Sequence, residues 1–553
     1  MAKKFLKFQA SAVLVLSLLL SACSNSDSGT DKEKAASDTV GNGKAAGIVQ
    51  LPVFVTPSSK IENLETNSVT TYIEDKFNVK FKFEVAQGSN AGDKKKLLLA
   101  SGDYPAVFLS GDLTQAEQIE YGKQGVLKPL NDLIEKYGVE IKKAFQQDPE
   151  LKKSITAPDG KIYALPHINE CFHCWYSQKV WINTTWLKKL NLQMPTTTDE
   201  YYQVLKAFKT QDPNGNGKQD EIPLSGADKT WHGNPAHFLM NSFIYDNDDN
   251  FFFMKDGKVG LSANQPEWRK GLEYMNKLYS EGLIDKEAFT QDNDAMSQVG
   301  NREGDNIVGT AAAGHIGMYF SLAKGQDRHK EYATVAPLKG PQGVAYAGYY
   351  KAYGNGQFAI TNKATEAQAI AAIKLADYLY SEEHAIMNEY GPEGKYWRKG
   401  QPGEVDEHGR QAKYFLKPEY FSIGSTENDT WEQMGITRRT RDIRESWAVP
   451  NDPLSDNGYE HRLYLETAKN YEGKQPKETF PLSVFMESAD AKEAAQLKTQ
   501  MNDYIHSNMA QFITGAKNLT DAEWDNYVKG FDGLKLKRYL EIYQKAYDTS
   551  FKK

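Results

Sequence analysis

The chain is poor in cysteine, with 3 in 553 residues, at Cys23, Cys171 and Cys174. A framework of several disulfides is therefore excluded, and a packed core has to hold the fold. Positive charge is not in excess: 66 Lys and Arg stand against 73 Asp and Glu, a formal net charge of −7. The basic runs are short, at Lys94 to Lys96 and Arg438 to Arg441, a pattern that argues against nucleic acid as a partner. Three common catalytic signatures are missing: Gly-x-Ser-x-Gly, His-Glu-x-x-His and the phosphate-cradling Gly-x-x-x-x-Gly-Lys-Ser/Thr. The apolar run near the N-terminus, about Ala10 to Leu20, is too short to span a bilayer.

That run has a different reading. Lys3, Lys4 and Lys7 precede it and Leu20-Ser21-Ala22-Cys23 closes it, the tripartite pattern of a secretory signal peptide over residues 1–22. Cys23 would be the lipidated first residue of the mature chain, since the closing four residues resemble a bacterial lipobox. Several acyl chains on one cysteine anchor firmly, because each buried methylene contributes roughly 0.8 kcal/mol. Residues 23–46 are almost wholly Ser, Asp, Lys, Gly and Ala, too poor in apolar groups to fold, and are expected to form a flexible tether. The expected address is the extracellular face of a bacterial cell membrane.

From Gly47 onward the chain has the 40% hydrophobic content that sizeable cores need, together with 31 Tyr and 9 Trp. Such ring content suits cores and also polar-rimmed clefts for sugars. Ile48 to Pro57 is a β-branched run, a helix-like stretch follows to about Phe77, and Val79 to Ala86 alternates as a strand, which predicts a βαβ opening. A helix end, a stop at Gly102 and a strand over Ala106 to Ser110 continue the α/β order. Pro266 to Asp285, Ala367 to Ser381 and Asp490 to Gly515 carry apolar residues at helical spacing. Tyr245 to Asn250, YDNDDN, reads as a solvated turn.

The stretch Asp212 to Pro223, DPNGNGKQDEIP, is the sharpest local signal. Oxygen-bearing side chains recur at alternate positions with glycines between them, as a hard divalent cation requires. Asp212, Asn214, Asn216 and the carbonyl of Lys218 would converge on one point, with Asp220 and Glu221 closing the shell. Pro223 stands where an EF-hand has its bidentate Glu, and IPLSG reads as a strand or turn, so a structural calcium ion is expected rather than a switch. The plainer alternative is a metal-free surface turn.

Taken in order, several phrases carry a specific resemblance. They are ASGDYP (Ala100 to Pro105), VLKPL (Val126 to Leu130), YALP (Tyr163 to Pro166), the Trp181-Ile182-Asn183 start and the ion loop. VAPLKGP (Val335 to Pro341), YGPEGKYW (Tyr390 to Trp397) and Glu523 to Asp548 complete the set. The chain resembles, nearly end to end, the extracellular solute-binding proteins of bacterial ABC transporters, family 1. Within it the likeness is to the long lipoprotein subgroup that includes alginate-oligosaccharide-binding proteins. The resemblance implies an α/β fold of two periplasmic-binding-protein-like lobes over residues 47–553, built from discontinuous segments joined by crossovers, with a carbohydrate between them. It also implies calcium in the loop, and ABC permease subunits as partners of a monomeric receptor. Ligand contacts are expected from Lys60 and from the turn of Glu393, Tyr396 and Trp397. Further candidates are Trp175 and Tyr176, Trp231 and His232, and Trp431; for each Trp a core position is the ordinary alternative.

Three function classes compete: a tethered receptor delivering an oligosaccharide to a permease, a secreted polysaccharide-active enzyme, and the same fold binding a peptide or other polar solute. The first is favoured. Cys171 and Cys174 in NECFHCWY are expected to form a disulfide, with free thiols as the second choice. A zinc site with His167 and His173 would have to converge from a strand-like segment with alternating faces.

Overall fold

The computed structural model describes residues 47–323, 325–422, 426–455 and 457–552. The expected signal peptide, Cys23 and the tether lie outside the described residues.

The βαβ opening is present. Val49–Val55 and Val79–Val85 pair in parallel, Val49 against Val79 through Val55 against Val85, with helix Ser68–Phe77 as the crossover. The Asn67 side chain caps that helix by accepting from the Val69 N–H, and Asn78, at φ 50°, ends it one residue before the next strand. Leu51, Val53 and Val55 are fully buried, and each contributes roughly 1.5–3 kcal/mol by leaving water. The first sheet runs in the order Val79–Val85, Val49–Val55, Val107–Phe108, Gly356–Ile360, Leu165–Pro166. Helices such as Glu366–Leu379 pack its core through Ile373 and Leu375.

A second sheet has four strands in the order Tyr332–Val335, Val180–Asn183, Val308–Ala312, Ile222–Ser225. Its core joins Val180, Ile182 and Leu224 to Trp268 and Met275 of helix Pro266–Ser280 and to Leu497 and Phe512 of helix Ser488–Thr514. These helices, with Glu366–Leu379, occupy the three stretches of helical spacing.

The chain passes between the two sheets three times. It leaves the first after Pro166 and enters the second at Val180, and it returns between Val335 and Gly356. A last passage follows Arg438–Arg439, which pairs with Ile168–Asn169, and leads to helix Tyr459–Asn470, whose Leu463 packs with Trp181 and Val308. The two lobes are therefore discontinuous in sequence.

One expectation is overturned. Tyr245 to Asn250 is no solvated turn: Tyr245, Asp246, Asn247 and Asn250 are buried. Asp246 Oδ2 accepts a 2.7 Å hydrogen bond from His237 Nδ1, and Asn247 Oδ1 accepts from three successive backbone N–H groups, those of Asp249, Asn250 and Phe251. Asp246 can be buried because it finds internal donors. Against burial, which pulls it down, the Asp246 carboxylate holds the His237 imidazolium up at about 9.

Candidate ligand cleft and ion loop

Strands Val49–Val55 and Val107–Phe108 are parallel and end at the same place, the position where open α/β sheets receive ligands. A cavity of ≈ 790 Å³ opens there. Thr56, Ser110 and Asp112 come from the strand ends, His167 and Asn169 from the first crossover, Ala352 and Gly354 from the second, and Gln433 to Gly435 from a loop before the third. Asp112 adopts φ 43°, and its Oδ1 accepts from Asn355 Nδ2 at 3.0 Å and Gln357 Nε2 at 3.4 Å. Burial, and then the Arg439 charge, push His167 down to about 4, so it stands neutral at the cavity wall.

The Glu432–Gln433 turn is strained. Both residues lie in the left-handed region, at φ 48° and 65°, which costs on the order of 1–3 kcal/mol for each non-glycine residue. The surroundings hold it in place: the fully buried Trp431 donates from Nε1 to Thr70 Oγ1 at 2.9 Å, and the Gly435 N–H donates to Ser110 Oγ at 3.0 Å. The strain leaves Gln433 exposed at the cavity.

A cluster of rings stands on the second lobe, linked to the cavity by the segment that runs from Tyr349 to Gly354. Trp175 and Tyr176 both pack on Tyr349, and His232 lies 4.1 Å from Tyr350, centroid to centroid. Trp231, 42% exposed, packs against His232 and His315. Its indole lies flat on Gly314, where an added Cβ would come within 2.5 Å of the ring. His232 Nδ1 donates to Asp248 Oδ2 at 2.8 Å. The Tyr350 N–H donates to the Trp175 carbonyl, and the same segment continues to Ala352 and Gly354 at the cavity. Beneath Trp175, buried Lys179 donates to the carbonyls of His173 (2.8 Å) and Tyr176. Burial pulls that ammonium down to about 7.

Four of the residues singled out in the sequence, Trp175, Tyr176, Trp231 and His232, thus come together; Tyr176 is buried behind the surface, its hydroxyl donating to Gln475. Trp431 does not join them. It is a core residue with no exposed surface, packed with Phe81 and His384, and it supports the strained turn from below. The Glu393–Trp397 turn falls outside the residues lining the cavity. Glu393 accepts from the Lys399 N–H, Tyr396 is buried against Tyr420, and Trp397 donates to the Gly391 carbonyl within a ring cluster of Tyr414 and Trp447. Lys60 is exposed and reaches Glu432 Oε2 at 3.5 Å. Asp112, His167, Asn169, Gln357 and Gln433 were not anticipated at the cavity, because isolated polar residues drawn together from separate segments leave no pattern along a chain.

Asp212 to Glu221 forms a tight loop between helix Thr198–Thr210 and strand Ile222–Ser225. Helix Thr198–Thr210 opens with a Thr197/Glu200 capping box and hands over to Asp212 at φ 47°; Gly215 and Gly217 follow at φ 78° and 74°. Asp212 accepts from the N–H groups of Gly215, Asn216 and Gly217, and the amides of Asn214 and Asn216 both donate to Asp220 Oδ1. Those amide contacts hold the Asp220 carboxyl below its usual range. Both carboxylate oxygens of Glu221 are buried without a hydrogen-bond donor, and burial, then the charges of Asp212 and Asp220, raise its pKa. A buried carboxylate with no donor beside two more carboxylates is a donor set that fits a hard dication.

Cys171 and Cys174 form a disulfide with Cα atoms 5.1 Å apart. The segment is a 3-10 helix, Phe172–Tyr176, rather than the expected strand, and that turn is what brings positions three apart together. His173 lies against both sulfurs, whereas His167 does not belong to that group and stands at the cavity. Among the described residues no helix is long and apolar enough to cross a membrane.

A family model described as bacterial extracellular solute-binding protein matches residues 63–386. The fructooligosaccharide ABC transporter substrate-binding protein FusA of Streptococcus pneumoniae serotype 4 is 30% identical over 570 residues, spanning 99% of this chain and 98% of FusA. A solved S. pneumoniae FusA, an EF-hand mutant in complex with fructo-nystose, is 28% identical with a TM-score of 0.71, covering 90% of this chain and 99% of that one. An extracellular solute-binding protein from Bifidobacterium longum subsp. infantis superposes with a TM-score of 0.76 at 26% identity, over 92% of this chain and 100% of that one.

Proposed function

Because the chain belongs to the bacterial extracellular solute-binding protein family, we propose that the cleft described above is where it captures an oligosaccharide for import by an ABC permease. It is a binding protein and not an enzyme. The observation that carries the reading is the ≈ 790 Å³ cavity at the strand ends, with polar groups among its lining, joined through the segment Tyr349 to Gly354 to a cluster of half-buried rings in which Trp231 is exposed. Sugars offer apolar C–H patches to rings and hydroxyls to directed polar groups, and the two surfaces supply one partner for each. FusA, the relative covering nearly the whole chain, is named for fructooligosaccharides.

The site residues proposed are Trp175, Trp231 and His232 on the ring side and Asp112, Asn169, Gln357 and Gln433 on the polar side, with Lys60 at the edge beside Glu432. Calcium is proposed for the loop, held by Asp212, Asn214, Asn216, the Lys218 carbonyl, Asp220 and Glu221. The unsatisfied Glu221 carboxylate supports it, as does the EF-hand named for the FusA structure. When bound, the ion would neutralise three crowded carboxylates and fix the end of helix Thr198–Thr210. The proposal extends to a monomeric receptor whose Cys23 carries a lipid anchor at the outer face of the membrane, with residues 23–46 as tether and residues 47–553 as the two-lobed module.

Thermal shift and calorimetry with fructo-nystose and a panel of other oligosaccharides test the reading. A ligand at about 100 times its dissociation constant adds roughly 2.7 kcal/mol to stability, a clear rise in melting temperature. Curves unmoved by every sugar but raised by a peptide or another polar solute would assign the cleft to that second class. Release of new reducing ends from a polysaccharide would make it an enzyme.

A further inference from the structure

Oligosaccharides that bacteria import fall into uncharged chains and chains bearing a carboxylate on each uronate unit, and the two demand opposite things of a protein. A bound carboxylate taken out of water needs a charge-assisted donor, which Arg or Lys supplies. The cations around the cavity are already committed. Lys95, 5% exposed, donates to Glu117 Oε2 at 2.9 Å and to the Asp112 carbonyl at 2.7 Å. Buried Arg439 pairs with Glu389 at 3.1 Å, and Arg444 divides between Asn169 Oδ1 at 3.1 Å and Glu460 at 3.3 Å. Lys60 reaches Glu432 at 3.5 Å.

The charge left facing the cavity is of the other sign: the Asp112 carboxylate lines it, held only by the neutral amides of Asn355 and Gln357. Apart from Lys95, which is paired with Glu117, the lining also carries the uncharged polar groups of Thr56, Ser110, Asn169, Gln357 and Gln433. Hydroxyls and amides both donate and accept, and a carboxylate accepts from a sugar hydroxyl, so this set complements neutral polyols.

We propose that the cleft selects uncharged oligosaccharides and rejects uronate-containing ones. This rests on the oligosaccharide reading above and narrows its substrate class. The Asp112 carboxylate is the discriminating group: it accepts from hydroxyls and repels a ligand carboxylate.

Calorimetry on the full chain decides it, with a neutral fructan tetrasaccharide, a neutral glucan tetrasaccharide and trigalacturonate as probes at low and high salt. The expected result is binding of at least one neutral probe, with trigalacturonate weaker by roughly tenfold or more. The neutral affinity should change by less than about twofold between roughly 0.05 and 0.5 M salt, since no ligand charge is screened. Gln433→Arg places a cation at an exposed position and should narrow the gap by about tenfold. Trigalacturonate binding as tightly as the neutral probes, or a gap unmoved by Gln433→Arg, would overturn the selectivity and leave the oligosaccharide reading standing. Failure of all three sugars where a peptide binds would overturn both.

Discussion

The two surfaces that meet at the cleft are built from different materials and were reached by different routes along the chain. The first-lobe surface is polar and arises from strand ends and a strained turn, with Asp112, Glu432 and Gln433 all in left-handed conformations. The second-lobe surface is aromatic and rests on ordinary packing, Trp231 on Gly314 and Trp175 on Tyr349. Rings stack on any sugar face, whereas the polar side requires hydroxyls at fixed positions. Affinity should therefore reside mostly with the rings, and discrimination with the polar groups.

Trp231→Ala breaks the ring side and should have the largest effect: loss of on the order of 2 kcal/mol of binding, about thirtyfold, for every sugar that binds. Calorimetry checks it, and a loss confined to one sugar would contradict the division of labour. Gln433→Ala should cost roughly 1 kcal/mol, about fivefold, and unequally across sugars. Equal losses would show that the polar side does not discriminate.

Removing the ion with a chelator should lower the melting temperature by several degrees, in line with roughly 2.7 kcal/mol for an ion at about 100 times its dissociation constant. Sugar affinity should stay within about twofold, because the loop lies outside the cavity lining. A melting curve indifferent to chelator and to added calcium would return the loop to a plain turn.

The buried His237–Asp246 pair provides a control behind the ring side. His237 titrates at about 9 in the fold and near 6.5 when unfolded, so the folded state binds the extra proton. Its stabilisation is fully present below about pH 6.5 and is lost as pH rises through about 9. The alkaline decline in melting temperature should flatten in His237→Gln. The smallest effect is expected for Glu393→Ala: an exposed residue outside the cavity lining should leave affinity within about twofold.

The same contrast governs what was legible in the sequence. The α/β order, the βαβ opening and the three long helices follow from period and caps, and the ion loop from alternate oxygens. Trp175, Trp231 and His232 were visible because rings are conspicuous. Within WEQMG, Trp431 supports the turn from the core while Gln433 lines the cavity. Polar groups such as Asn169 and Gln357 acquire meaning only when distant strand ends converge, and no local pattern announces that. YDNDDN looked solvated because its internal donors lie on other segments, on His237 and on Lys498 and Asn502 of the long C-terminal helix.

That helix, Ser488–Thr514, bears on how quickly a ligand enters. It packs in the second-lobe core, while its N-terminal end touches helix Gln115–Lys123 of the first lobe through Lys492–Glu120 at 3.3 Å and, one residue earlier, Glu487–Lys123 at 3.2 Å. Both pairs are exposed, and exposed pairs are weak and screened by salt. Beside them, Phe485 is buried in the first-lobe cluster with Phe54 and Tyr163, so this contact has an apolar share that salt does not screen. Raising the ionic strength would then loosen only the ionic share of this contact and leave the apolar share in place, so the salt dependence of sugar association would measure how much the two exposed pairs hold.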